Sequence, residues 1–217
     1  FGDVATVHAL ESRLTGRSPE LEWYSVVTGN PSQDEMMARV QAKLAEVNDP
    51  ARTMLGAEQE AWLEGELGKS VADGKTWQVL ANQVIMAKVV LPNMGEVLTP
   101  EQIAAQDSPY VEGMVGFSAL GLPFNLDAWD GFPAARERLY TSAKKTGARL
   151  VTVTGDTHTA WANTLHDDAG DQRGVEFGCT SITSPGMGSV IKDVPNLGEL
   201  FTDANKEVDW HDPFGHG

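Results

Sequence analysis

Amphipathic helical patterns alternate with short apolar runs along this sequence, and that alternation points to an α/β layered architecture rather than a helical bundle or an all-β sandwich. Ser32-Gln33-Asp34-Glu35 fits a helix capping box, with Met36, Met37, Val40, Leu44 and Val47 at helical spacing behind it. The stretch 55–67 sets Trp62, Leu63 and Leu67 on one face against Glu58, Glu60, Glu64 and Glu66, a second amphipathic helix. Pro133 opens a third, which ends in Lys144-Lys145 with Gly147 beyond, so its cations lie at the negative end of the helix dipole. Strands are predicted over 1–10, 77–81, 149–154 and 175–180. Between 91 and 132 Pro and Gly recur so often that mostly loop is expected, with one short helix near 101–105.

A length of 217 residues allows one well-buried core. Sixteen Lys and Arg against 31 Asp and Glu give a net charge of −15, which argues against general affinity for nucleic acid or an anionic membrane. An anionic substrate therefore needs a locally positive site. The longest apolar stretch, 79–91, is interrupted by Asn82, Gln83 and Lys88 and is shorter than the roughly 18 apolar residues of a membrane helix. Cys179 is the single cysteine, so no internal disulfide supports the fold. Phe1-Gly2-Asp3-Val4 has neither an initiator Met nor a signal-like start, which reads as a processed or truncated polypeptide.

The most chemically loaded segment runs from Leu150 through Gly155-Asp156-Thr157-His158-Thr159-Ala160-Trp161. A hydrophobic strand ends at Gly155, and Asp156 and His158 follow at its carboxyl edge, where ligand sites gather in α/β sheets. Two apart in an extended stretch, carboxylate and imidazole project to one face and can reach a common metal or two adjacent ones. Gly155 allows a sharp turn there. Thr154, Thr157 and Thr159 can hydrogen-bond such ligands and fix their orientation. From the residues alone a second reading stays open, in which Asp156 caps a following helix and His158 is a satisfied loop histidine.

Asn125-Leu126-Asp127-Ala128-Trp129-Asp130-Gly131-Phe132-Pro133 reads either as a helix entrance, with Asp130 holding the turn, or as a wall of the site. The hydroxyls of Thr180-Ser181-Ile182-Thr183-Ser184 suit turn chemistry. His8, His166, His211 and His216 lack partner spacing and are read as structural or surface residues. There is no Walker-type loop, no Gly-x-Ser-x-Gly elbow and no cysteine pair for zinc.

Five ordered motifs carry a resemblance across nearly the whole chain: Phe1-Gly2-Asp3-Val4 with Glu11-Ser12-Arg13, Met54 to Leu63, Trp77-Gln78-Val79-Leu80-Ala81-Asn82-Gln83, Asp127 to Arg136, and Thr154 to Asn163. On these the chain resembles the PhoD-like alkaline phosphatases and phosphodiesterases, within the metallophosphoesterases. The blocks Gly-Asp-x-His-x-x-Trp and Asp-x-Trp-Asp-Gly-Phe are the specific ones. Glu11-Ser12-Arg13 stands where the family usually reads Asp-Thr-Arg.

The resemblance implies a metallophosphatase-like α-β-β-α sandwich with two sheets, of which residues 1–217 form the C-terminal part, cut at both ends. It implies Asp156 and His158 as catalytic metal ligands, with Thr157, Thr159, Trp161 and Asp130 supporting them. Calcium and ferric iron are the implied cofactors, other divalent metals being compatible with the same hard ligands. The implied activity is metal-assisted hydrolysis of phosphate mono- or diesters, on small molecules or lipid head groups, outside the inner membrane, periplasmic or secreted. Two ligands are few for a cation that takes about six to eight oxygens. An N-terminal segment of the same protein is therefore the expected partner, and the isolated chain is expected to be inactive. The competing expectation is a non-catalytic binding or structural module that keeps the fold.

Overall fold

Among the described residues six strands form one mixed sheet in the order β1-β2-β3-β5-β4-β6: β1 (Ala5–Ala9), β2 (Trp77–Ala81), β3 (Leu150–Thr154), β4 (Ala160–His166), β5 (Gln172–Gly178) and β6 (Val208–Asp212). The computed structural model describes all residues except 30, 106–108, 192, 193 and 217, with backbone alone for 109–112 and 114. β1, β2, β3 and β5 run parallel, while β4 is antiparallel to both β5 and β6. Helices fill the long connections that parallel pairing requires. They are α1 (Tyr24–Val27), α2 (Gln33–Val47), α3 (Gly56–Ala72), α4 (Met94–Val97), α5 (Pro100–Ala105), α6 (Pro109–Ser118), a 3-10 turn (Trp129–Gly131), α7 (Pro133–Thr146), α8 (Met187–Val190) and α9 (Leu197–Ala204).

Local signals place several of these. Ser32 Oγ accepts from the Glu35 N–H while the Glu35 carboxylate accepts from the Ser32 N–H, which starts α2. Gly147 at φ 74° closes α7 behind Lys144 and Lys145. In α3, Leu63 and Leu67 are buried, but Trp62 is 44% exposed, flanking the apolar stripe with its ring edge-on to His8. Arg138 and Lys145 of α7 pair with Glu60 and Glu64 across the α3–α7 contact. Between 91 and 132 the short helix expected near 101–105 is present as α5, and α4 and α6 stand where loop is expected. Pro100 and Pro109 are the first residues of α5 and α6, where a missing N–H costs nothing, so these prolines begin helices rather than prevent them. Part of the connection, 106–108, lies outside the described residues.

The two faces of the sheet differ. His8, Leu80, Thr152, Glu176, Asn163 and Val208 are cross-strand neighbours on one buried row. This face joins a single core with Leu63 and Leu67 of α3, Leu139 and Ala143 of α7, and Phe201 of α9. The adjacent row, Ala9, Ala81, Val153, Phe177, Ala162 and Trp210, points the other way, and Phe177 and Trp210 are each 52% exposed. The described residues thus provide one helical layer and one sheet, with the sheet's second face apolar and open.

A buried segment without strand partners crosses the core after β2. Its N–H groups are satisfied one after another by side chains: Met86 and Ala87 donate to Glu176 at 2.7 and 3.0 Å, Lys88 to Glu207 at 2.8 Å, Val89 to Asp130 at 2.9 Å and Val90 to Asn205 at 2.6 Å. Three carboxylates and an amide thus meet the hydrogen-bonding requirement of buried backbone. Burial pushes the Glu176 carboxyl up to about 7 despite the N–H donors around it.

Candidate active site

Four parallel strands deliver polar residues to the carboxyl edge of the sheet. β1 leads to Glu11-Ser12-Arg13, β2 to Asn82-Gln83, β3 to Gly155-Asp156 and β5 to Cys179. Arg13, Asn82, Gln83, Thr154, Asp156 and Cys179 line an open cleft of about 670 Å³ there, with Phe177 at its wall. Sheet topology explains the convergence, since the carboxyl ends of neighbouring parallel strands share one edge.

The loop after β3 is a tight bend, not the extended stretch that two-residue spacing suggested. Asp156 and His158 both adopt left-handed backbone, at φ 72° and 59°, and the Thr157 N–H donates to the Gly155 carbonyl at 2.9 Å. Gly155 itself has no positive φ, so the turn falls on the two chemically functional residues. Non-glycine residues rarely hold this conformation without support, and such outliers gather at functional sites. The support is visible. Trp161 Nε1 donates to Thr157 Oγ1 at 2.9 Å, Thr159 is fully buried, and the Thr180 hydroxyl is shared between the Gly215 carbonyl at 2.5 Å and the His158 carbonyl at 3.2 Å. Asp156 and His158 are both exposed, Asp156 lining the cleft and His158 turned toward Pro185, whose carbonyl lies 3.2 Å from Nδ1.

Arg13 has its own frame. The Glu11 carboxylate accepts from the N–H groups of Arg13, Leu14 and Thr15, at 2.7, 2.8 and 2.6 Å, and from the Thr15 hydroxyl. The Thr15 hydroxyl and these N–H groups hold the Glu11 carboxyl down at about 2. Glu11 thus organises the loop in the place where the related motif carries Asp. Gln59 clamps the Glu11 backbone with both ends of its amide, and Gln83 Oε1 accepts from the Ser12 N–H and hydroxyl. Asp127 receives Arg13 Nη1 and Arg17 Nη2, each at 2.5 Å. Burial works to raise the Asp127 carboxyl, and the two guanidiniums outweigh it and keep it below the usual range.

Asp130 stands apart from the cleft. It pairs with buried Arg136 at 2.8 Å and accepts from the Val89 N–H, so it ties the helix entrance to the segment after β2, while the turn itself is closed by backbone hydrogen bonds rather than by the Asp130 side chain. It also borders a small cavity of about 10 Å³ beside Thr157 and Trp161, which connects it to the back of the site loop. His8 and His211 are buried, and His211 stacks on Trp161 at 3.6 Å between ring centroids. Asp127, in the segment that reads as a helix entrance or a wall of the site, is joined to Arg13, whereas Arg13, Asn82 and Gln83 carry in the sequence only the signal of lying just beyond strands.

The donors fit part of a metal's coordination shell. With His158 Nδ1 directed at a backbone carbonyl, Nε2 is the nitrogen left to bind, the usual orientation of a ligating imidazole. Asp156 and His158 are hard or borderline donors of the type that calcium and iron accept. No group of three or more His, Cys, Asp or Glu side chains converges among the described residues.

A model of the family described as PhoD-like phosphatase matches residues 1–217. The alkaline phosphatase D of Bacillus subtilis (strain 168) is 35% identical over a match that covers 73% of this chain and 24% of that protein. A solved structure titled "Structure of PhoD" superposes with a TM-score of 0.61 at 24% identity, covering 99% of this chain and 33% of that one, which shows a shared fold. The chain spans about a quarter of the one relative and a third of the other. With the whole chain matched by the family, the protein belongs to the PhoD-like phosphatases.

Proposed function

We propose that this chain carries part of the active site of a metal-dependent phosphoric ester hydrolase, with Asp156 and His158 as metal ligands. The observation that carries the reading is the pair of left-handed residues on one braced loop at the carboxyl edge of the sheet, with His158 Nδ1 occupied and Nε2 available. The family description and the name of the Bacillus subtilis relative favour phosphate ester hydrolysis. Calcium and ferric iron, when bound, supply neutralisation of the phosphoryl oxygens and activation of water. Within this chain, Asp156 offers its carboxylate to the cleft, Pro185 sets the imidazole tautomer, and Trp161 and Thr157 keep the two ligands in their strained backbone. Cations also reconcile an anionic substrate with a protein of net charge −15.

Two ligands leave the shell to be completed by sequence outside this chain, and the open apolar sheet face around Val153, Phe177 and Trp210 is the surface on which that remainder packs. The 217-residue chain alone is accordingly expected to turn over little substrate. By family resemblance the site of action is periplasmic or secreted. Hydrolysis of p-nitrophenyl phosphate, its bis-ester and a phospholipid by the longer protein, after EDTA treatment and after restoring Ca²⁺ and Fe³⁺, tests the reading and ranks the substrates. Metal-restored turnover is expected, and none on any ester contradicts it. The same open face, together with the absence of a three-ligand group among the described residues, favours a second reading as a non-catalytic docking module, which that null result would leave in place.

A further inference from the structure

We propose that Arg13 is the phosphate-binding side chain of this cleft, taking two non-bridging oxygens of the substrate on its guanidinium fork; the assignment rests on the phosphoric ester reading above. Arg13 is the one cationic residue among those lining the cleft, where it shares the wall with Asp156. Its Nη1 is engaged by Asp127, while Nε and Nη2 have no hydrogen-bond partner among the described residues, and the side chain is 34% exposed. A guanidinium with one edge fastened and the other open is suited to bidentate recognition of phosphate.

The frame around it is larger than an ion pair needs. Arg17, whose side chain is only 7% exposed, already secures Asp127 through both its carboxylate and its carbonyl, and lies 5.0 Å over the Phe132 ring. Arg13 is therefore not required to neutralise Asp127. Two guanidiniums share the Asp127 carboxylate, the Glu11 charge is directed into the loop's own N–H groups, and Asp156 and Glu20 also act on Arg13 electrostatically. Arg13 is therefore the cationic point on an otherwise acidic wall, the one place there that attracts an anionic oxygen. Gln59 and Gln83 hold the loop from two other elements, so the guanidinium is positioned before the ligand arrives, which is what phosphoryl recognition rewards.

Two measurements test it. Inorganic phosphate is titrated into the 217-residue chain at low salt, following by NMR the Arg13 Nε–H resonance where it is present and the backbone amides of Asn82, Gln83 and Asp156 throughout, for the unaltered chain, Arg13→Ala, Arg13→Lys and Lys75→Ala. The last removes a charge at the opposite edge of the sheet. In parallel, KM and kcat for p-nitrophenyl phosphate are measured on the longer protein with the same changes. The Arg13 resonance is expected to shift saturably, with binding about 10-fold or more weaker in Arg13→Ala. Arg13→Lys, which keeps the charge and the Asp127 pair, is expected to weaken binding by a smaller factor, and Lys75→Ala to bind as the parent does. KM should rise in step. Absence of a phosphate-dependent shift, or equal affinity in both Arg13 variants and the parent, overturns the assignment. Arg13-dependent phosphate binding without turnover of any ester upholds the anchor and contradicts the hydrolase reading. Turnover with KM and phosphate binding indifferent to Arg13 does the reverse.

Discussion

The Trp161 indole donates to Thr157 Oγ1 at 2.9 Å, so a buried side chain of β4 holds the residue that separates Asp156 from His158. The same indole ring stacks on His211 and meets Phe201 edge-on, which connects the site loop to the core beneath α9. Trp161→Phe preserves most of the packing and removes the donor. The expected loss is about 1 kcal/mol in urea denaturation of the chain. On the proposed metal role, calcium affinity of the longer protein should fall about 10–100-fold by calorimetry. Unchanged stability and affinity would show that the hydrogen bond does not position the loop.

The backbone at Asp156 makes a separate prediction. At φ 72° a Cβ is strained, and glycine is not. Asp156→Gly should therefore be more stable than Asp156→Ala by about 1 kcal/mol, although both remove the carboxylate and both should abolish metal-dependent turnover. Equal melting temperatures for the two variants would mean that the loop relaxes out of the left-handed conformation.

Gln59 fastens the first loop by donating to the Glu11 carbonyl and accepting from its N–H, both at 2.8 Å. Gln59→Ala strands both backbone groups and should cost on the order of 2 kcal/mol. Gln59→Glu, which keeps an acceptor and loses the donor, should fall between alanine and the parent in a thermal melt. An alanine variant as stable as the parent would indicate that Glu11 alone shapes the turn.

Glu176 gives stability a pH dependence of definite sign. Burial pushes its folded carboxyl up to about 7, above the ordinary glutamate value of 4.5, so the folded state holds this proton more tightly than the unfolded chain does. The contribution favours folding below about 4.5 and declines as pH rises to about 7, a loss on the order of 3 kcal/mol. His211 acts in the opposite direction, since burial lowers it to about 4 and stability is lost as pH falls from about 6.5. Glu176→Gln should remove the first component. Compared with the parent, its denaturation free energy should rise more, or fall less, from pH 5 to pH 8. Identical pH slopes would contradict the burial argument.

The elements legible in the sequence are those determined by local chemistry. Ser32 and Glu35 announce α2, Pro133 and Gly147 bound α7, and the apolar run at Trp77–Ala81 is β2. β4 and β6 give no clear strand pattern in the sequence because polar residues occupy buried positions. Asn163 is satisfied by Glu176 from β5, and His211 packs on Trp161 from β4, partners that only the folded sheet brings together. In the candidate site, strand ends pointed to Asp156 and His158, but the sequence suggested Gly155 for the sharp turn. The left-handed backbone at 156 and 158 depends on Trp161, Thr180 and Pro185, contacts that spacing does not reveal. Arg13 was visible as part of a motif. Its chemical role emerges only when Asp127, 114 residues away, takes one edge of its guanidinium.

The most direct measurement is turnover of p-nitrophenyl phosphate by the longer protein carrying His158→Ala, loaded with Ca²⁺ and Fe³⁺ beside the parent. His158 is proposed to bind metal through Nε2 while Pro185 occupies Nδ1. The account predicts that kcat falls by about three orders of magnitude or more, the scale on which loss of a principal charge-stabilising group acts, with melting temperature nearly unchanged because the side chain is exposed. A folded His158→Ala protein that turns over substrate at the parental rate would contradict it.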